Sequence, residues 1–504
     1  MTMMSPAAKQ SAHGRLSLAR LAGLPPGIVR PGYDVGQIKP GILHLGIGAF
    51  HRAHQAWYTD AAMAASGGAW GIVGASLRGA GMRDSLVAQD CLYTLVEKGA
   101  AGTRYRVIGA VRDVVFAPDD PARLPRLIAD PAIRVVTLTV TEKGYCHDPA
   151  SGKLNLAHAD IVHDLSTPDA PVSTIGILVE GLMQRHRAGA KPITLQTCDN
   201  LPHNGNTLRG IVLEFAARAD SPTARWIERE VAFPNSMVDR IVPATTDDLI
   251  RETEAALGVH DAAPVQAELF SQWVIEDTFA AGRPAWEKVG AEFVANVAPY
   301  EEMKLRLLNG SHSMLAYLGY LAGFEYIWQV MSEADYVALM RDMMREEVAP
   351  TLALQGKYNL DAYQVSIAER FANPALLHRT EQITMDGSQK LPQRLLGTVR
   401  TNLAAGRPFR RLALAVAAWM RFVTGVDEHG KTINVRDPLA DVLKARAQAA
   451  GGDPQAIADA LLSVEAVFGT DLPQASVFRD EVGAALATLM REGARKTVRS
   501  YAAP

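Results

Sequence analysis

Gly41-Ile-Leu-His-Leu-Gly46-Ile-Gly48 runs directly into AFHRAHQAWYTDAAMAA at 49–65. The first part reads as a short apolar strand ending in glycines, and the second has helical periodicity. Strand, Gly-x-Gly and helix, in that order, open a dinucleotide-binding βαβ unit. Gly46 permits the tight turn, and Gly48 lets backbone approach a pyrophosphate held at the helix N-terminus. His51 stands where the third glycine of the usual fingerprint would be. A tight turn of purely structural purpose carries the same pattern.

The next strand is read at 69–78, AWGIVGASLR. An acid at the end of that strand ordinarily takes the adenosine ribose hydroxyls. Here Arg78 is followed by Gly79 and Ala80. An arginine there suits a 2′-phosphate and equally suits an exposed strand end, so NAD is expected with NADP not excluded. Further strands are read at 104–111, 133–145 and 192–200, with helical segments between them. VVTLTV has the continuous β-branched character of a buried parallel strand. Alternating strands and helices predict a doubly wound sheet. Its ligand crevice lies at the carboxyl ends of the strands, where Thr141, Glu142, Asp199 and Asn200 fall. The stretch 233–243 reads as antiparallel. From about residue 297 helical patterns dominate, at 331–347, 359–373, 394–405, 412–424, 438–449, 454–464 and 480–499. The predicted fold is α/β: a lead-in at 1–30, a Rossmann-type doubly wound domain at 31–296, and an all-α domain at 297–504.

Composition agrees with that plan. A chain of 504 residues exceeds one ordinary core, so two domains are expected. Its 51 basic and 54 acidic residues leave a formal charge of −3, which excludes the electrostatic footprint of a nucleic-acid or anionic-membrane binder. Three widely spaced cysteines, Cys91, Cys146 and Cys198, argue against a disulfide framework and offer no C-x-x-C zinc spacing. Residues 1–16 lack an apolar h-region and read as a disordered lead-in. No window reaches the roughly 18 apolar residues of a membrane span. A soluble cytoplasmic protein is expected, a monomer or weak homo-oligomer.

The helical half contains Tyr300 to Phe324, YEEMKLRLLNGSHSMLAYLGYLAGF. At roughly 100° per residue, Asn309 lies about 140° round from Lys304, with His312 between them at about 80°. A potential base, a neutral amide and an imidazole on one rigid element suit proton transfer to or from an alcohol. An amphipathic helix whose polar face meets water has the same pattern.

Taken together the chain resembles the polyol-specific long-chain dehydrogenase/reductase family, the mannitol dehydrogenase family, which includes fructuronate reductases. The resemblance runs from about 31 to 445. It rests on Gly46-Ile-Gly48-Ala49-Phe50-His51-Arg52-Ala-His54, Gln89-Asp90-Cys91-Leu92-Tyr93, Thr139-Val-Thr141-Glu142-Lys-Gly144-Tyr145 and Cys198-Asp199-Asn200-Leu201-Pro202-His203-Asn204-Gly205. Met237-Val238-Asp239-Arg240-Ile241 and Lys304-x4-Asn309-x2-His312 complete it. It implies a metal-independent NAD(P)-linked enzyme acting on a small sugar acid or polyol, with its active site in the cleft between a Rossmann domain and a helical domain. Gly46, Gly48, Ala49, Phe50, Arg78, Thr141 and Glu142 are the implied cofactor contacts. Lys304 is the implied acid/base; a free lysine titrates near 10.4, so it has to be desolvated or set near positive charge to act near neutrality. Asn200 and Asn309 would donate to the substrate oxygen, His312 and Asp239 would hold neighbouring hydroxyls, and Glu142 would pass protons to solvent. Glu142 and Asp239 could equally serve as structural ion-pair partners. His51, Arg52 and His54 touch cofactor phosphates or the cleft, or only cap the helix start.

The segment 373–394 separates substrates best. Its His378-Arg379-Thr380 and Gln382-to-Lys390 pattern looks more like fructuronate reductases than mannitol 2-dehydrogenases, which tend to carry arginine in place of Gln382. Arg379 or Lys390 could pair with a hexuronate carboxylate, or Arg379 could bridge to a neighbouring helix. D-mannonate/D-fructuronate is the expected pair, with D-mannitol/D-fructose or D-arabinitol/D-xylulose as alternatives. A non-catalytic dinucleotide-binding protein is the remote alternative, which the intact Lys304, Asn309, His312 and Asn200 set disfavours.

Overall fold

The computed structural model describes residues 14–99, 102–148, 151–354, 356 and 358–502. The chain forms two compact units that part between Val297 and Ala298.

The first unit is built on five parallel strands, β1 Pro40–Leu45, β2 Gly71–Ser76, β3 Val111–Phe116, β4 Val135–Leu138 and β5 Thr194–Thr197. Their order is β3-β2-β1-β4-β5. Central β1 buries five of its six residues, and Leu43 pairs Val73 on one side and Val136 on the other. Helices cover the sheet, including Thr174–Arg187 and Asn204–Ala219, whose buried faces join one core with β1, β4 and β5. The strand order reverses between β1 and β4. Ligands bind at such a point in doubly wound sheets.

Three sequence readings change. The expected strand at 104–111 is two elements. Gly102–Ile108 pairs antiparallel with Tyr93–Gly99 in a separate sheet completed by Val265–Glu268, and β3 begins only at Val111. The strand expected at 133–145 stops at Leu138, because Thr141 has φ 64° and Glu142–Tyr145 is a 3₁₀ turn. Of the expected lead-in, residues 1–13 lie outside the described residues. The remainder is built into the first unit: the Leu16 amide donates to the His260 carbonyl, and its buried side chain packs with Leu24, Val35 and Leu92.

A third sheet pairs Ser236–Asp239 antiparallel to Gln272–Glu276. Beside it Arg240 makes a buried ion pair with Glu97 at 2.6 Å, the side chains 0 % and 5 % exposed. The Arg240 guanidinium also donates to the carbonyls of Ala53 and Glu268. One cation thus ties Asp239's strand end to the 93–99 hairpin and to the helix after the glycine turn.

The second unit is helical. Among its described residues only isolated bridges, Tyr326 to Arg379 and Val426 to Thr432, interrupt helix and turn. Its core helix Arg410–Val423 packs against Gly310–Leu321 and Ser476–Glu492. Phe409 supplies no side-chain cap to that helix. Instead the buried Glu347 carboxylate accepts the Arg411 and Leu412 amides, placing negative charge on the helix N-terminus. No helix among the described residues is long and apolar enough to cross a membrane.

Glu97→Ala leaves the Arg240 cation buried without its carboxylate, so a loss of about 3–5 kcal/mol is expected in denaturant unfolding. A loss below about 1 kcal/mol would show that the pair is not what anchors this corner.

Candidate active site

In the first unit a cavity of about 380 Å³ lies at the carboxyl ends of β1, β2 and β4, lined among others by Gly46, Gly48, Ser76, Arg78, Thr139 and Thr141. Gly46 is irreplaceable: its φ is +94°, and an added Cβ would stand 2.2 Å from the Thr139 carbonyl oxygen. Gly48 meets nothing nearer than 3.8 Å and keeps that face open. The turn is closed by the Gly46 and Ile47 amides, both donating to the Ala75 carbonyl. An open glycine turn at the switch point is the shape a dinucleotide requires.

The expected helix after the turn is broken. Ala49–Ala53 and Gln55–Ser66 meet at His54, whose ψ is −87°. Ala49 and Phe50 are absent from the cavity wall and pack partly buried against the core. His51, Arg52 and His54 are buried and turn inward. Arg52 donates to the Ala263 carbonyl at 2.5 Å, and His54 meets the Gln272 carbonyl at 3.0 Å. His51 is stacked on His44 with ring centroids 3.3 Å apart.

Thr141 lines the cavity while Glu142 is exposed beside it. The loop is held by Asp199, which accepts the Val140 amide at 2.9 Å, the Thr141 amide at 3.1 Å and the Tyr145 hydroxyl at 2.8 Å. Burial raises the Asp199 pKa above the usual carboxylate value, and the Val140, Tyr145 and Thr141 donors oppose that rise. Asn200 follows, exposed. Asp239, 5 % exposed, ends a strand of the third sheet. The Asn204 side chain joins the two places: it donates to the Thr197, Asp199 and Ser236 carbonyls and accepts the Ser236 amide. Asn204 lies within a family-like motif, but its locking role needed the fold to be seen.

In the second unit Lys304–Asn309 is a π-helical turn between α-helical Ala298–Met303 and Gly310–Leu321. The Gly310 amide donates to the Leu305 carbonyl five residues back. This corrects the 140° separation expected for an ordinary α-helix. When the ladder closes over five residues, the fifth residue takes the place above the first that the fourth has in an α-helix. Asn309 therefore rises over Lys304, and His312 follows three residues on. Lys304 is buried at 7 % exposure, as the chemistry expected of it requires. Two more π turns, Met343–Val348 and Pro392–Leu396, pack against this one. Gly310 admits the second: a Cβ there would stand 2.8 Å from the Arg394 carbonyl oxygen.

The His312 ring stacks on Phe371 at 4.7 Å and lies 5.4 Å from the His378 ring. Its Nε2 is buried with no hydrogen-bond partner, which calls for an explanation in a packed interior. Burial, then the fields of His378, Arg394, Arg370 and Lys390, hold its pKa well below the ordinary 6.5. Lys390 also donates to the Met385 and Ile383 carbonyls, and Arg394 donates to the Ser313 hydroxyl. Arg379 is not in this group. It is half-exposed, ion-paired to Glu325 at 2.9 Å and set over the Tyr326 ring. A surface guanidinium so engaged stands apart from the cations around His312. Arg370 joins the group from a helix outside the motifs, and the sequence carries a signal for it. Leu360, Tyr363, Gln364, Ile367, Arg370 and Phe371 form the buried stripe of helix Leu360–Phe371, which places this arginine on the inner face.

The partly buried His312 imidazole binds its proton more readily once the chain unfolds, so stability falls as pH drops below about 6.5. The stability gap between the wild-type chain and His312→Asn should shrink by about 1.4 kcal/mol per pH unit below that point. A gap independent of pH between 7 and 5 would overturn this account of His312.

Residues 40–288 match the mannitol dehydrogenase Rossmann domain, and 296–490 match the mannitol dehydrogenase C-terminal domain. The chain is 47 % identical over 476 residues to the D-mannonate oxidoreductase of Escherichia coli K12, covering 94 % of this chain and 97 % of that one. It is 41 % identical over 478 residues to a mannitol 2-dehydrogenase of Phaeosphaeria nodorum, covering 94 % and 83 % respectively. Among solved structures, the Pseudomonas fluorescens mannitol 2-dehydrogenase in ternary complex with NAD and D-mannitol superposes with a TM-score of 0.85. It has 41 % identity over 96 % of this chain and 99 % of that one. The chain belongs to the mannitol dehydrogenase family and is a dehydrogenase acting on CH–OH groups, with a Rossmann-type first domain and a helical second one.

Proposed function

We propose that the protein interconverts a sugar acid and its keto form with NAD(H), D-mannonate and D-fructuronate being the pair the site fits best. The observation that carries this is the cluster facing His312. Its Nε2 is a buried, unpartnered hydrogen-bonding atom beside the buried Lys304 turn. Arg370, Lys390 and Arg394 add positive field to the same place. A substrate hydroxyl supplies the partner Nε2 lacks, and a carboxylate suits the surrounding cations. A neutral polyol gains only the first of these. The likeness to a D-mannonate oxidoreductase supports the same choice.

NAD, held at the Gly46–Gly48 turn, accepts the hydride from the carbinol carbon. Lys304 takes the hydroxyl proton during oxidation and returns it during reduction; its burial is the desolvation such a base needs. Asn309, carried over Lys304 by the π turn, donates to the oxygen as negative charge develops there. Neutral amides donate at every working pH, and one such donor is worth about 3 kcal/mol in a water-excluded site. The resemblance assigns Asn200 a bond to the same oxygen, Asp239 a further hydroxyl, and Glu142 the passage of the proton to solvent. Of the two cations read for a carboxylate, Lys390 takes the role, and Arg379 is engaged by Glu325.

Following NADH oxidation with D-fructuronate and D-fructose in parallel tests this reading. Fructuronate should turn over well above fructose, and Lys304→Ala should lower kcat at least a thousandfold with either. Lys390→Met should raise KM for fructuronate about tenfold, the loss of one charge-assisted bond. Preference for fructose would make the protein a polyol dehydrogenase, the second reading, favoured by the likeness to mannitol 2-dehydrogenases. NADH binding without turnover on any aldonate or polyol would make it a non-catalytic binder. Arg78 on the cavity wall, with no acid at the end of β2, further predicts turnover with NADPH that Arg78→Ala abolishes.

A further inference from the structure

The cavity at the glycine turn has a second set of polar groups on its wall that dinucleotide binding does not explain. Cys146 and Asp160 both line it. The chain leaves Cys146 in the left-handed region, φ 48°, and returns: Asp148 and the Lys153 carbonyl pair at 2.9 Å, as do the Asn155 amide and the Cys146 carbonyl. This brings His158 and Asp160, twelve and fourteen residues on, back beside the thiol. One donor atom each from Cys146, His158 and Asp160 then lie within 4.8 Å of one another. Cys146 is 6 % exposed, while the His158 and Asp160 side chains are 38 % and 48 % exposed.

Sulfur, imidazole nitrogen and carboxylate oxygen form a borderline-soft donor set, the kind that selects zinc-like ions over magnesium or calcium. A tetrahedral ion at its usual bond lengths wants donors about 3.5 Å apart. His158 Nδ1 and Asp160 Oδ2 are already 3.9 Å apart. Rotation of these two half-exposed side chains supplies the remaining closure, while the buried sulfur stays fixed. The Nδ1 lone pair presently accepts the Asp160 amide at 3.2 Å, a long bond at the start of helix Ala159–Ser166. An ion either displaces that bond or takes Nε2 of a turned ring. Water supplies the fourth position, since the site opens to the cavity.

We propose that Cys146, His158 and Asp160 bind one zinc-like divalent ion beside the cavity that Cys146 and Asp160 line together with Gly46 and Arg78. Burial, with Asp160 and Asp164, raises the Cys146 thiol to about 11. The ion must therefore displace a proton, and its affinity rises with pH.

Zinc chloride titrated into chelator-washed full-length protein by calorimetry should show one site. His158→Ala and Asp160→Asn should each weaken zinc binding at least tenfold, and Cys146→Ser should do the same. Equal zinc affinity in the wild-type chain and in any of these three variants overturns the site.

Discussion

The hydrogen bond from the Gly310 amide to the Leu305 carbonyl spans five residues instead of four, and the placement of Asn309 over Lys304 depends on it. Without it Asn309 would sit a third of a turn or more away from Lys304. A π turn is a poor hydrogen-bonding geometry by itself and persists where packing holds it, often at functional sites. Here two further π turns pack against it, and Gly310 admits the carbonyl of Arg394 too closely for any side chain. The irregular turn is thus a product of three helices meeting, with the glycine as the point of contact.

The first unit follows the same logic with different means. Gly46 holds a backbone conformation that a Cβ would block against Thr139, and Asp199 holds the facing loop by taking three donors onto one carboxylate. Asn204 extends that network to the strand that ends in Asp239, and Arg240 fixes the same strand end from beneath with a buried ion pair. The loop that carries Thr141 and the strand that ends in Asp239 are therefore held by neighbours that are themselves hydrogen-bonded. Such support is what keeps catalytic and binding groups in place.

Charge is distributed to match. Around His312 the nearby fields are positive and the imidazole is kept neutral, so it offers a hydrogen bond rather than a charge. Around the glycine turn, Arg78 and Lys143 on the wall stand with Asp160, the carboxylate of the candidate ion site. Neither environment is visible in a net charge of −3, which averages opposite signs over the whole surface.

Local pattern determined the order of elements, the glycine turn and the Lys304-x4-Asn309-x2-His312 spacing, because each depends on residues a few positions apart. The doubly wound character followed from the alternation of strands and helices, and the all-helical second half from its long periodic stretches. Tertiary structure decided which strands share a sheet. Gly102–Ile108 and Val111–Phe116 are separated by only Gly109 and Ala110, yet they pair in different sheets. It also decided the fate of individual cations. Arg379 and Arg370 are both arginines near the same motif, but one meets Glu325 at the surface and the other is carried inward on a helix face. Five-residue closure at Lys304–Asn309 was beyond any local reading, since the i→i+5 ladder is weaker than the α-helical one and is chosen only when distant segments press on it. Side-chain type and spacing specify what chemistry is available; burial and non-local packing select which of those groups face the same atom.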